Sequence, residues 1–311
     1  MSETKKILIA DKLHPIFKEE AEKLGYIVDD FPDITRDETL KIIDGYAGIA
    51  IRTKFNIDRT LIDAATSLRF VARAGAGLDN IEIEYATEKG IECINAPEGN
   101  RAAVAEHSIG MLLSLMNNLK KADWEVRTGS WDREGNRGYE LKGKTVGIVG
   151  YGYMGKSFAK RLKGFDVNVI AYDKYKSGFS DEFAQEVSME QIVKHSDILS
   201  LHIPLKRETN RLVNDEYLFH FKKPIFFLNT SRGEIVNTQS VLNYIKSGRI
   251  LGAGLDVLEV EKFPKLAKEP WYHELVNEER VLLSPHVAGW THESYRKISE
   301  VLAEKLKSLP V

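Results

Sequence analysis

Three glycines, Gly150, Gly152 and Gly155, interrupt the chain at GxGxxG spacing directly after the apolar run Thr145-Val-Gly-Ile-Val149. A helical stretch through Phe158 and Leu162 follows. A second apolar run, Val167-Asn-Val-Ile-Ala-Tyr172, then ends on Asp173, 18 residues past the last glycine. Each part of this frame has a physical duty. Gly150 permits the tight turn, Gly152 lets a pyrophosphate approach the backbone, and Gly155 lets helix and sheet pack closely. The helix start offers phosphates its free N–H groups and positive dipole end. An acid at the tip of the second strand accepts both ribose hydroxyls and repels a 2′-phosphate, so Asp173 predicts NAD rather than NADP. A lone glycine-rich turn says little, but in a strand–turn–helix–strand–acid frame it predicts a dinucleotide site.

Elsewhere the chain alternates short apolar strands with amphipathic stretches. One series runs through Ile7–Ala10, Tyr26–Val28, Gly48–Arg52, Phe70–Ala74 and Ile91–Asn95, with helical patterns such as Ile16–Leu24 and Thr39–Gly45 between them. The second starts at Thr145 and continues through Val167–Tyr172, Asp197–His202, Pro224–Asn229, Ile250–Asp256 and Val281–Leu283. Two βα series predict an α/β protein with two doubly wound parallel sheets, and 311 residues suffice for two ordinary cores. The boundary is expected near 96–101, before a helical run over Ala102–Leu119. A terminal helix is expected over Ser294–Leu309.

With 43% apolar and 29% charged residues the composition is globular, and a formal charge of −2 leaves no electrostatic footprint for nucleic acid or an acidic membrane. No apolar run reaches the length of a membrane span or a signal peptide's core, so a cytoplasmic location is expected. The single cysteine, Cys93, lies in an apolar run and reads as a small strand residue rather than a nucleophile. The eight histidines form no pair at metal-ligand spacing, so no metal site is expected.

Three segments at strand ends of the second series carry chemistry. They are Asn229-Thr-Ser-Arg232-Gly233, Gly254-Leu-Asp256-Val-Leu-Glu259-Val-Glu261 and Ser284-Pro-His286-Val-Ala-Gly289-Trp290. Hydride transfer between a 2-hydroxy acid and NAD needs a cation for the carboxylate, which Arg supplies as a bidentate fork. It needs a proton acceptor near neutral pH, which suits His, and a carboxylate that orients the imidazole. Each residue alone could be a surface acid, a paired arginine or a loop histidine; their joint placement downstream of a dinucleotide turn favours chemistry. A second glycine cluster, Ala74-Gly75-Ala-Gly77, follows the Phe70 strand. It either admits a ligand to the backbone or simply makes a turn needing positive φ.

The stretches Arg73–Asn80, Val104–Glu106, Leu141–Gly150, His202–Leu205, Asn229–Gly233, Leu255–Val257 and Pro285–Gly289 resemble the D-isomer-specific 2-hydroxyacid dehydrogenases over nearly the whole chain. The resemblance implies a flavodoxin-like substrate domain over 1–98 with 286–311 and a Rossmann NAD-binding domain over 99–285. It implies Arg232, Glu261 and His286 as the catalytic trio. Ala76, Gly150, Gly152, Tyr153, Met154, Gly155, Asp173, Ile203, Thr230, Ser231, Asp256, His286 and Gly289 would line the cofactor. Arg52, Arg73, Gly75, Ala76 and Arg232 would bind a small-molecule substrate in a cleft between the domains. Arg52-Thr-Lys54 and Arg73-Ala-Gly75 are most similar to the loops of D-3-phosphoglycerate dehydrogenases, where two arginines meet a phosphate; a salt bridge near the hinge is the rival role for them. Glycerate dehydrogenase (hydroxypyruvate reductase) and a non-catalytic NAD-sensing regulator are the alternative activities, and a homodimer is the family expectation. The family's proline after the glutamate is displaced to Pro264, which leaves Glu259 as a rival to Glu261.

Overall fold

The structure, a computed structural model, describes residues 5–309. The described chain divides into two compact units, one of residues up to 101 with those from 290 on and one of residues 102–289. His286 therefore groups with Arg232 and Glu261 in the second unit, while Trp290 opens the return to the first.

The first unit is a five-stranded parallel sheet of β1 (Lys6–Ile9), β2 (Ile27–Asp30), β3 (Gly48–Ile51), β4 (Phe70–Arg73) and β5 (Glu92–Asn95). Its order, β2-β1-β3-β4-β5, is the flavodoxin-like one expected. Strand alternation explains its two cores. Ile7, Ile9, Ala50, Phe70 and Ala72 face one side, with Phe17 and the residues Ile298, Leu302 and Leu306 of the last helix. Leu8, Ile49, Ile51 and Val71 face the other, with Leu61 and Ile91. That last helix spans His292–Leu306, starting two residues before the sequence pattern suggested because Thr291 caps it reciprocally with Ser294. It is pinned in the first unit by Lys305, which donates to the Asn95 carbonyl and pairs with Glu98.

The second unit is a seven-stranded parallel sheet of β6 (Thr145–Val149), β7 (Asn168–Tyr172), β8 (Gln185–Glu186), β9 (Ile198–Leu201), β10 (Ile225–Asn229), β11 (Ile250–Leu255) and β12 (Val281–Leu283), ordered β12-β11-β10-β9-β6-β7-β8. Chain order reverses between β6 and β9, and the same happens between β1 and β3 in the first unit. Doubly wound sheets bind ligands beyond the carboxyl ends of the strands at such switch points.

The long helix differs from the expected Ala102–Leu119. It runs over Pro97–Met116, because proline is tolerated in a first turn where its missing N–H is not needed. It ends where Asn118 turns left-handed at φ 52°, and a separate helix, Leu119–Arg127, follows. The two-residue β8 carries no apolar run and had no sequence signal. Among the described residues no helix is long and apolar enough to cross a membrane.

Candidate active site

At the second unit's switch point the chain leaves β6 through the glycine turn. Gly150 has φ +94°, and a Cβ there would lie 2.4 Å from the His202 carbonyl oxygen, so no other residue fits. Gly155 has the same constraint for a different reason: its Cβ would lie 2.0 Å from the Gly150 carbonyl oxygen, at the helix–sheet contact. Around Gly152, by contrast, nothing stands within 4 Å of a built Cβ. That open space lies at the start of the Tyr153–Leu162 helix, whose first turn has no side-chain cap. Open backbone, uncapped N–H groups and a positive dipole end together fit the pyrophosphate of a dinucleotide. Asp173, just past β7, accepts from the N–H groups of Tyr151 and Tyr175, at 2.9 Å each. Its carboxylate thus ties the glycine turn to the tip of β7, with lone pairs to spare for ribose hydroxyls. Tyr153 is half exposed, Met154 half-buried, and Ile203 follows β9 across the switch.

Arg232, Glu261 and His286 follow the neighbouring strands β10, β11 and β12 of the same unit. His286 has φ +54°, an unusual backbone for a side chain this size, and is held there by two bonds from its N–H, to the Asp256 and Ser284 carbonyls. Its Nδ1 lies 2.9 Å from Glu261 Oε2. Glu259 is employed elsewhere: Oε1 accepts from the Thr238 N–H at 2.8 Å and Oε2 from Arg211 at 3.2 Å. The geometry therefore pairs Glu261, not its rival, with the imidazole. With Nδ1 engaged by the carboxylate, Nε2 is the atom left for proton transfer.

Asp256 is turned inward. Wholly buried, it accepts from the Ser284 hydroxyl at 2.6 Å and from the N–H groups of Val287 and Ala288 at 2.9 Å each. It shapes the loop that carries His286 and Gly289. The Ser284 hydroxyl is also 3.0 Å from His107 Nε2, so the long helix braces the same loop.

Arg232 sits in a turn clamped by Asn229, a fully buried side chain that sequence reasoning left without a role. Asn229 Oδ1 accepts from both the N–H and the hydroxyl of Ser231, and its Nδ2 donates to the Arg232 carbonyl at 2.9 Å. Thr230 is within 3.2 Å of the Ser108 hydroxyl. Gly233 allows the close passage of the 256–261 segment, since a Cβ there would lie 1.9 Å from the Leu258 carbonyl oxygen. The Asn-Thr-Ser-Arg-Gly string is thus a clamp, a turn and a close approach. His202 donates a different feature: its ring packs on Phe158 and bonds Ser200, and burial lowers its pKa to about 4 although an edge of the residue reaches solvent.

In the first unit the switch point lies between β1 and β3. Asp11, just past β1, collects the N–H groups of Arg52, Thr53 and Lys54 on one oxygen at 3.0–3.1 Å. Sequence reasoning missed it; an acid two residues past an apolar strand was the only signal. Arg52 follows β3, and its guanidinium stacks on the Trp290 ring at 3.8 Å from the centroid. Burial pulls its pKa below the usual guanidinium range, opposed by Asp11 and Tyr295. Among the described residues that guanidinium makes no hydrogen bond or ion pair. Arg73 ends the adjacent β4 and folds back over the next turn: Gly75, at φ +149°, would place a Cβ 1.7 Å from Arg73 Nη1. The Ala76 carbonyl is tied to Asn95 Nδ2 at 2.5 Å. Cys93 is half-buried in β5, and burial pushes its thiol to about 11, an inert state. No group of three metal-ligating side chains occurs among the described residues.

A family model described as D-isomer specific 2-hydroxyacid dehydrogenase, NAD binding domain, matches residues 109–288. The chain is 33% identical to a D-3-phosphoglycerate dehydrogenase of Archaeoglobus fulgidus over 98% of its own length, spanning only 58% of that protein. It is also 33% identical to a hydroxypyruvate reductase of Thermotoga maritima over 88% of each. Among solved structures it is similar to a glyoxylate reductase of Paecilomyes thermophila, with 26% identity, a TM-score of 0.88, and 99% of this chain and 95% of that one covered.

Proposed function

The chain belongs to the D-isomer specific 2-hydroxyacid dehydrogenases, with NAD as cofactor, and we propose that it interconverts a D-2-hydroxy acid and its 2-oxo acid, with 3-phosphoglycerate and 3-phosphohydroxypyruvate as the pair. The observation that carries the reaction is the 2.9 Å contact between His286 Nδ1 and Glu261 Oε2 in the same unit as Arg232. Arg232 takes the substrate carboxylate as a bidentate fork. His286 Nε2 receives the hydroxyl proton in the oxidative direction and returns it in the reductive one. Glu261 fixes the ring's orientation and favours the imidazolium formed in that step. The Gly150–Gly155 turn and Asp173 would hold NAD, which when bound would supply the hydride acceptor.

What supports the phosphorylated substrate is charge. One carboxylate is satisfied by Arg232, and a phosphate near −2 calls for the further cations of the first unit, Arg52 and Arg73. Hydroxypyruvate and glycerate are the second reading, favoured by the relative that matches this chain at nearly equal length. A screen of NADH oxidation over 3-phosphohydroxypyruvate, hydroxypyruvate, glyoxylate and pyruvate separates them. The proposed pair requires the highest kcat/KM on 3-phosphohydroxypyruvate; a higher value on hydroxypyruvate overturns it. A homodimer is part of the same reading, supported by exposed Trp124 and Trp131 on the second unit, and sedimentation velocity tests it.

A further inference from the structure

We propose that Trp290 is a specificity-determining positioning residue, which holds the Arg52 guanidinium flat so that it grips an anionic group at C3 of the substrate. This rests on the phosphate reading above but goes beyond it, since that reading needs only a charge, not its orientation. Arg52 is anchored at its backbone by Asp11, but its side chain has no acceptor among the described residues to fix it. Among the described residues the fork is stacked on the face of Trp290, at 3.8 Å, with the charges of Asp11 and Tyr295 acting on it from nearby. A guanidinium stacked on an aromatic face keeps its five N–H donors in the ring's plane direction, open to an incoming oxyanion, while one face loses water.

Trp290 is itself held. Its ring meets Tyr295 edge-on at 5.4 Å, and Tyr295 meets His14 edge-on at 5.5 Å. The next residue, Thr291, is locked as the cap of the last helix. The stack stands where Asp11 after β1 and Arg52 after β3 flank the first unit's switch point, the place a doubly wound sheet reserves for ligand. A structural role alone would not need a cation on this face. Trp290 is 45% exposed, so a residue there serving only the core would bury more of its ring.

The test is a KM and kcat comparison on 3-phosphohydroxypyruvate and hydroxypyruvate with Trp290→Ala, Trp290→Phe, Arg52→Ala and the Arg52→Ala/Trp290→Ala double variant. Loss of the stack should raise KM for the phosphorylated substrate about tenfold, the scale of a partly desolvated cation–π contact, with kcat within about twofold. KM for hydroxypyruvate should rise about twofold at most, Trp290→Phe should keep most of the wild-type affinity, and Trp290→Ala should add nothing once Arg52 is gone. An equal effect on both substrates, or the same further loss on the Arg52→Ala background, overturns the assignment. Competitive inhibition by inorganic phosphate separates the two levels. If Arg52→Ala relieves it and Trp290→Ala does not, the role of Trp290 is wrong and the phosphate reading stands. If wild type favours hydroxypyruvate and neither variant changes phosphate inhibition, the phosphate reading itself is wrong.

Discussion

The carboxyl edges of the two sheets are built on opposite plans. In the second unit every polar side chain named at the edge is tied within the chain: Asp256 to its loop, Asn229 to the Ser231–Arg232 turn, Glu259 to Thr238 and Arg211, and Glu261 to His286. In the first unit one acid, Asp11, spends its carboxylate on backbone N–H groups, and Arg52 presents a guanidinium that the described chain gives only an aromatic face. The difference divides the work. On the proposed reading, chemistry that must be the same for every substrate is pre-organised, and the group proposed to distinguish substrates meets its acceptor only in the ligand.

That division can be broken by substitution. His286→Ala should reduce kcat about 10²–10⁴-fold on every oxo acid, the usual scale of a lost acid–base group, while NADH affinity measured by fluorescence stays near wild type. A loss confined to one substrate would mean that the second unit also chooses.

Asp256→Ala should act at one remove. It strips the acceptor from Ser284, Val287 and Ala288 at once, which costs about 1–3 kcal/mol for each buried group left unpaired. The His286 loop then drifts, and kcat should fall about 10²-fold with a lower melting temperature. Full activity in a merely less stable protein would show that the loop does not need its anchor.

Arg52→Ala sharpens the comparison from the other side. KM for 3-phosphohydroxypyruvate should rise about tenfold or more, as for a lost charge-assisted contact, and that for hydroxypyruvate about twofold at most. Equal damage to both would make Arg52 a structural residue, and the first edge would no longer be the selective one.

The smallest effect is on stability. His202 has a folded-state pKa near 4 against an ordinary 6.5, so the unfolded chain takes up the proton first as pH falls. Its contribution is intact above about 6.5 and is lost progressively towards about 4, amounting to about 1–2 kcal/mol by pH 5 after allowing for its partly solvated edge. His202→Gln should flatten the decline of melting temperature over that range. An unchanged slope would show that the ring is solvated and that this edge is looser than its hydrogen bonds suggest.

The cofactor turn was legible because each of its residues answers a local demand. Gly150 must adopt a positive φ, Gly155 must lie against the Gly150 carbonyl, and β6 and β7 are apolar at period two. The strands were legible for the same reason, and their βα alternation implied parallel sheets. Helix ends were not: Pro97 looks like a breaker until its place in a first turn is known. Asp256 and Asp11 were present in plain view at strand ends, but nothing local says that a carboxylate will turn inward to collect N–H groups from a loop 31 or 42 residues away.

By itself, then, the sequence determined what depends on neighbours along the chain: two parallel sheets, the dinucleotide turn and which residue types stand at the strand ends. Only the tertiary structure decided which of two glutamates reaches His286, because Glu259 and Glu261 differ by two positions on an irregular segment and no periodicity ranks them. It alone brought Trp290 over Arg52, 238 residues away, since a stacking contact depends on how the last helix returns to the first sheet and leaves no trace in local spacing.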